Sequence, residues 1–222
     1  MARVLYDLCV TNNLRISPYC WRVKLSLAHK NLEYKTIPVG FTEKYKLNFS
    51  NQYLVPVLDD NGKIVNDSWS IAEYLEATYP DAPELFPEVE GKHLAKLITE
   101  WIDGQHKELL SFFILDLFNR LEVEDRDYFR RSREERYGKS LEEIQLCRDD
   151  RIADFREVKL AALRAHLTDR AFICGKEPAY GDFAVFGTFQ WARLASKFDL
   201  LAPGDPIGDW RQKMISRFSL RL

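Results

Sequence analysis

The spacing of apolar positions changes once along the chain. Up to about residue 80 they come in short runs separated by turn residues. "RVLYDLCV" (Arg3–Val10) is an apolar run of strand length. From Pro18 to His29 the period lengthens. Trp21, Leu25 and Ala28 share one helical face, with Cys20, Val23 and Leu27 beside them. "LEYKTIPV" (Leu32–Val39) alternates and predicts a strand. "VPVLDDNGKIVND" (Val55–Asp67) predicts two short strands, because Asn61-Gly62 suits a tight hairpin turn. Ser68 to Tyr79 is helical in pattern and is stopped by Pro80. The predicted order is βαβ, an irregular middle, then ββα.

The stretch "YPDAPELFPEVEG" (Tyr79–Gly91) has three prolines and four acidic residues and reads as a linker. It divides the chain into residues 1–80, a connector at 81–91, and residues 92–222. Beyond it nothing alternates with period two. Leu94, Leu97, Ile98, Trp101 and Ile102 recur at helical spacing, as do Ile144, Ile152, Phe155, Val158, Leu163 and Leu167. The second domain is predicted to be all-α, with breaks near Glu122, Gly138, Gly175 and Pro203. "RDYFRRSREER" (Arg126–Arg136) mixes charges of both signs and reads as a solvated helical face.

Composition narrows the function classes. The 222 residues are 46% hydrophobic, enough for one large core or two small ones. A net charge of -2 gives no reason to expect a nucleic acid as partner. The N-terminus lacks the apolar core of a signal peptide, and no apolar run approaches bilayer length. Cys9, Cys20, Cys147 and Cys174 are scattered, so the expectation is four buried free thiols in a reducing cytoplasm. His29, His93, His106 and His166 show no ligand spacing, and no metal is expected.

Three local signals carry candidate chemistry. In "RISPYCWRVKLSLAHK", Ser17 and Pro18 have the residue types of a helix N-cap and first turn. The same geometry offers free N–H groups and a positive dipole end to an anion such as a thiolate. Ser17 stands where a cysteine would make a redox dithiol with Cys20, so it is either a cap or a working hydroxyl. Cys20 is either packing or a lone redox thiol. Val55-Pro56 is a candidate cis bond that would turn the Val55 backbone toward an extended peptide, or an ordinary edge-strand proline. Asp67-Ser68 precedes a helix and is either a cap or a carboxylate and hydroxyl facing a ligand's amino and carboxylate groups.

Taken in this order, the three resemble the N-terminal domain of glutathione transferases. "SPYCWR", "VPVLDD", "NDSWSIAEYLEATYPD" and the late "FICGKEPAYGDFAVFG" are similar to landmarks of that superfamily. "SPYCWR", "IPVGFTEK", "DSWSIAEYLE" and "RDYFRRSREERYGKSLEEI" look most like its etherase-like branch, the bacterial β-etherases and related fungal enzymes. The resemblance implies a thioredoxin-like α/β domain joined to an all-α domain. It implies glutathione as co-substrate, no metal, a hydrophobic aromatic second substrate and a homodimer. It assigns Ser17 to thiol activation, Val55 and Pro56 to the tripeptide's cysteinyl portion, and Asp67 and Ser68 to its γ-glutamyl end. Trp101, Phe112 and Phe113, with Phe118, would line the second-substrate pocket or else belong to the core.

Two positions depart from the pattern. Leu54 replaces the basic residue common before the Val-Pro pair, so a contact to the glycyl carboxylate falls to Lys44, Lys46 or Gln52, or is absent. Ala179 replaces the Ser or Thr that usually completes a capping box with Asp182. Three function classes remain open: an enzyme conjugating glutathione or cleaving aryl ethers with it, a carrier of aromatic ligands, and an interaction module.

Overall fold

The computed structural model describes residues 3–220. Its first domain is a mixed sheet with helices against it. β1 (Arg3–Val10) is the hub, parallel to β3 (Lys35–Val39) and antiparallel to β4 (Val57–Asp60). β4 pairs with β5 (Lys63–Asn66) across the Asn61-Gly62 turn, and β2 (Leu14–Arg15) folds back on the end of β1. Leu5 and Leu58 face each other in register and are fully buried. Residues 32–34 of the predicted third strand stay irregular.

α1 (Pro18–His29) begins where the Ser-Pro pair predicts, and α2 (Ser68–Thr78) ends one residue before Tyr79. The second domain is all helix. α3 (Glu88–Ser111) starts four residues before Lys92, so the connector is shorter than expected. α4 (Ile114–Phe118), α5 (Val123–Tyr137), α6 (Leu141–Gln145) and α7 (Arg148–Asp154) follow. α8 (Ala161–Leu167), α9 (Tyr180–Ala195) and α10 (Pro206–Arg217) complete it. Glu122 and Gly138 flank α5 as expected, while the breaks at Phe112–Phe113 and Cys147 carry no Gly or Pro signal.

α9 is the spine of the molecule. It is buried nearly all round and packs on both α1 and α3. At Gly187 the backbones of α9 and α1 touch: a Cβ there would overlap the Pro18 carbonyl oxygen and lie 3.4 Å from Trp21 Cβ. Asp182, fully buried at the start of α9, offsets the missing half of its capping box. It accepts N–H bonds from Ile173 (2.7 Å), Cys174 (3.0 Å) and Ala179 (3.2 Å), and from Trp210 Nε1 (2.8 Å).

Several expectations need correction. Phe112 and Phe113 are core residues at the α3–α4 corner, 1% exposed, packed edge to face against Phe155 and Trp191 respectively. All four cysteines are free, but Cys20 alone is fully buried. Cys9 and Cys174 are half-buried and Cys147 is exposed. Among the described residues no helix is long and apolar enough to cross a membrane, and no cluster of His, Cys, Asp or Glu has metal-site geometry.

Candidate functional site

A cleft of about 740 Å³ opens between the two domains, within the size range of small-molecule sites. Its first-domain side brings together Ser17, Val55, Pro56 and Asp67 from three separate loops.

Ser17 is the N-cap of α1 and is 3% exposed. Its Oγ accepts the Cys20 N–H at 3.2 Å. A hydroxyl has one proton besides its lone pairs, so that bond leaves the Ser17 proton available to the cleft. Pro18 has no N–H, and the N–H groups of Cys20 and Trp21 bond to Ser17. The Tyr19 N–H is therefore the donor that the first turn leaves open. Cys20, one turn into α1, does not line the cleft. It is fully buried, and burial pushes its thiol well above the ordinary range.

The Val55–Pro56 peptide is cis. Val55 lies just before β4, and among the described residues its backbone makes no hydrogen bond. Asp67 caps α2 from a positive-φ conformation (φ 70), its Oδ1 accepting from Trp69 (2.9 Å) and Ser70 (3.0 Å). Its carboxylate is exposed to the cleft and, among the described residues, has no cation partner. Ser68 is buried at the first position of α2 and does not line the cleft. Leu54 is 69% exposed. Of the three substitutes considered for a basic residue there, Lys44 and Gln52 line the cleft. Lys46 does not, and pairs with Glu43 at 2.6 Å.

The opposite wall comes from the helical domain, and most of it escaped sequence reasoning. Trp101, Phe112, Phe113 and Phe118 do not line the cleft; Trp101 is half-buried against the core. Their place is taken by Leu110 and His106 of α3, Trp191 of α9, and Tyr128, Phe129 and Tyr137 of α5. α5 is thus more than a solvated face. Phe129 is fully buried, and Arg133 and Arg136 continue its stripe at helical spacing into the cleft. That i, i+4, i+7 succession was the available signal.

His106 ties this wall to the mouth of α1. Its Nε2 lies 2.8 Å from Thr188 Oγ1 and its Nδ1 3.2 Å from the Tyr19 hydroxyl. Burial lowers the His106 pKa to about 4, so the ring is neutral at physiological pH. Beside it, the Asp103 carboxylate holds the buried Arg22 guanidinium (Nη1–Oδ2 3.2 Å), which also lies over the Tyr19 ring. On the first-domain rim, Lys44 Nζ donates to the Tyr128 hydroxyl at 2.9 Å, and that bond lowers the Tyr128 pKa. Asp125, buried near the start of α5, clamps the loop after β3. It accepts from Phe41 N (3.0 Å), Thr42 N (2.8 Å) and Thr42 Oγ1 (2.7 Å).

Comparison with known proteins agrees with this architecture. The family model of the glutathione S-transferase N-terminal domain matches residues 13–83, and that of the C-terminal domain matches residues 94–202. The chain is 26% identical over 218 residues to glutathione transferase omega-1 of Caenorhabditis elegans, covering 92% of this chain and 76% of that protein. It is 35% identical over 107 residues to a probable maleylacetoacetate isomerase of the same organism, 46% of this chain. That match spans about half of the isomerase, 50% of its length. Among solved structures, glutathione transferase GSTFuA3 of Phanerochaete chrysosporium superposes with a TM-score of 0.87 at 22% identity, covering 100% of this chain and 99% of that one. A glutathione S-transferase of Ceriporiopsis subvermispora, solved in complex with glutathione, superposes at 0.80 with 23% identity, covering 99% and 97%. With both halves matched in order and the fold shared from end to end, the chain belongs to the glutathione transferase superfamily.

Proposed function

We propose that this chain activates glutathione with Ser17 and transfers it to aromatic electrophiles, as a member of the etherase-like branch. The observation that carries the proposal is the convergence of Ser17, Val55-Pro56 and Asp67 on one cleft. The unpaired Val55 N–H and C=O suit an extended peptide. The exposed Asp67 carboxylate suits an ammonium group, and the start of α2 beside Ser68 suits the adjoining carboxylate. Lys44 and Gln52 are positioned to serve the glycyl carboxylate that Leu54 cannot reach.

The chemistry asked of Ser17 is modest. A free thiol has a pKa near ~8.5, and one unit of lowering corresponds to about 1.4 kcal/mol. One hydrogen bond to a charged group contributes about 1.5–3 kcal/mol, and a helix N-terminus about 0.3–1 kcal/mol. The thiolate then attacks an electrophilic carbon. A C–S bond forms, the bond to the leaving oxygen or halide breaks with its electron pair, and an aryloxide leaving group takes its proton from water. The thiol's own proton has already passed to solvent.

Ser17→Ala tests the role. Turnover at pH 6.5 is expected to fall about tenfold, with the acidic limb of the pH–rate profile moving toward the free-thiol value. An unchanged profile would remove Ser17 from the mechanism. A second reading, a carrier of aromatic ligands, is favoured by the aromatic wall of Phe41, Tyr128, Phe129, Tyr137 and Trp191. Tight aromatic binding without glutathione consumption, against a panel that includes a model β-aryl ether, would select it. The proposal includes a homodimer, supported by exposed apolar side chains at Tyr45 (65%), Tyr53 (63%) and Leu54 (69%) and tested by light scattering.

A further inference from the structure

The helical wall of the cleft holds two cations that have no carboxylate partner among the described residues. Arg133 and Arg136 stand one turn apart on α5 and both line the cleft. Arg133 lies over the Phe129 ring at 4.6 Å and near Phe41 at 5.4 Å. Its Nε is buried without a hydrogen-bond partner among the described residues, while Nη1 donates to Ser132 Oγ at 2.8 Å and the guanidinium helps to lower the pKa of the neighbouring Tyr128 hydroxyl. No carboxylate pairs with either arginine among the described residues. The contrast with the same helix is direct: the outward Arg130 holds Glu134 at 2.8 Å and Glu142 at 2.9 Å. Of the two acidic groups lining the cleft, Asp103 holds Arg22 and Asp67 caps α2, and neither forms an ion pair with Arg133 or Arg136.

A partly buried guanidinium without a counter-charge is costly unless an anion arrives to meet it. Its fork favours a carboxylate, which it binds with two parallel hydrogen bonds. The surroundings define the rest of the visitor, since Phe41, Tyr128 and Tyr137 line the cleft beside the arginines and suit an aromatic ring. Ser17 lines the same cleft, so an aromatic acid held at Arg133 and Arg136 shares that space with the proposed thiol site. The glycyl carboxylate of glutathione is the competing anion, because Lys44 bonds to Tyr128 of the same helix. In the pose proposed above glutathione's extended chain would pair at Val55 with its γ-glutamyl end at Asp67, and Lys44 and Gln52 would meet its glycyl end, leaving the two arginines to the second substrate.

We propose that Arg133 and Arg136 form an anion subsite that selects aromatic second substrates bearing a carboxylate. This rests on the transferase function proposed above, and the experiment separates the two. The kcat/KM values of the full chain are measured with 1-chloro-2,4-dinitrobenzene, which is neutral, and with 4-chloro-3-nitrobenzoate, which is anionic. The same pair is run on Arg136→Gln and on Arg133→Met, which keeps the apolar stem over Phe129. The acidic-to-neutral ratio is expected to fall about tenfold in either variant, as for loss of one charge-assisted hydrogen bond. Because Arg136 is exposed, its variant keeps the test valid even if Arg133→Met folds poorly. An unchanged ratio overturns the subsite. So does a rise in the glutathione KM with both electrophiles, which would give these arginines to the glycyl carboxylate. If neither electrophile turns over, the transferase reading fails and equilibrium binding decides the subsite. Calorimetry with 3-nitrobenzoate and with neutral 3-nitrobenzamide is then expected to show an acid preference that Arg136→Gln removes. Equal binding of the two ligands by the unaltered chain overturns the proposal.

Discussion

The contact at Gly187 allows a sharp test of how the two domains share the site. Gly187→Ala adds one methyl group where α9 crosses the first turn of α1. That methyl would overlap the Pro18 carbonyl oxygen and come to 3.3 Å of the carbonyl carbon. Both are backbone atoms and cannot swing aside as a side chain would. Relieving the overlap requires the helices to part by roughly half an ångström or more. Overpacking of this kind costs about 1–3 kcal/mol. In a chain of this size that is a melting temperature lower by about 2–12 °C. Because Pro18 follows Ser17, the movement also displaces the hydroxyl from the thiol it is proposed to hold, and misplacement near 1 Å costs up to about a hundredfold in rate. The control is Gly104→Ala on α3, where an added Cβ meets nothing within 4 Å. There the helix gains about 0.5–1 kcal/mol and the melting temperature rises by up to about 4 °C. The assays are thermal unfolding by circular dichroism and kcat/KM for glutathione conjugation. A Gly187→Ala protein with unaltered melting temperature and unaltered kcat/KM would refute the reasoning.

Asp67→Ala is expected to raise the glutathione KM about tenfold or more while kcat changes little, since a carboxylate on the ligand's ammonium binds ground and transition states alike; unchanged affinity by calorimetry would contradict this. Alkylation followed by mass spectrometry is expected to label exposed Cys147 first and to spare Cys20 until the chain unfolds; rapid Cys20 labelling that glutathione blocks would make it a redox site. His106 has a folded pKa of about 4 against an ordinary value of 6.5. The unfolded chain therefore takes up a proton that the folded chain refuses, and the stability held above pH 6.5 is lost as pH falls toward 4. Melting temperatures at pH 7 and pH 5 are expected to differ less in His106→Gln than in the unaltered chain, and equal differences would contradict the assignment.

What sequence could show follows from the range of the forces involved. Ser17-Pro18, Val55-Pro56 and Asp67 were legible because each obeys a local rule of capping or of proline geometry, and those rules act over three or four residues. Phe112 and Phe113 continue the periodicity of α3, and periodicity reports burial without saying whether a pocket or the core receives the ring. α5 was the harder case. Arginine counts as polar in any binary pattern, yet Arg133 lays its stem and guanidinium against Phe41 and Phe129. Its role depends on a loop more than 80 residues earlier in the chain. His106 and Tyr19 likewise become partners through the packing of α1 against α9 and α3, which no local pattern encodes.

The Asp125 clamp has a consequence for exchanging parts between relatives. Much of the helical wall of the cleft is carried by α5, but its registration is fixed by three bonds to Phe41 and Thr42 of the other domain. A side chain on Gly40 would bring a Cβ within 3.0 Å of Asp125 Oδ2, so the clamp also dictates how small that neighbour must be. A graft that moves α5 into another scaffold without the Gly40–Thr42 loop would carry the right side chains on an unanchored helix. The transferable unit is therefore discontinuous, one helix and one distant tripeptide, and a chimera is expected to keep its substrate preference when both pieces travel together.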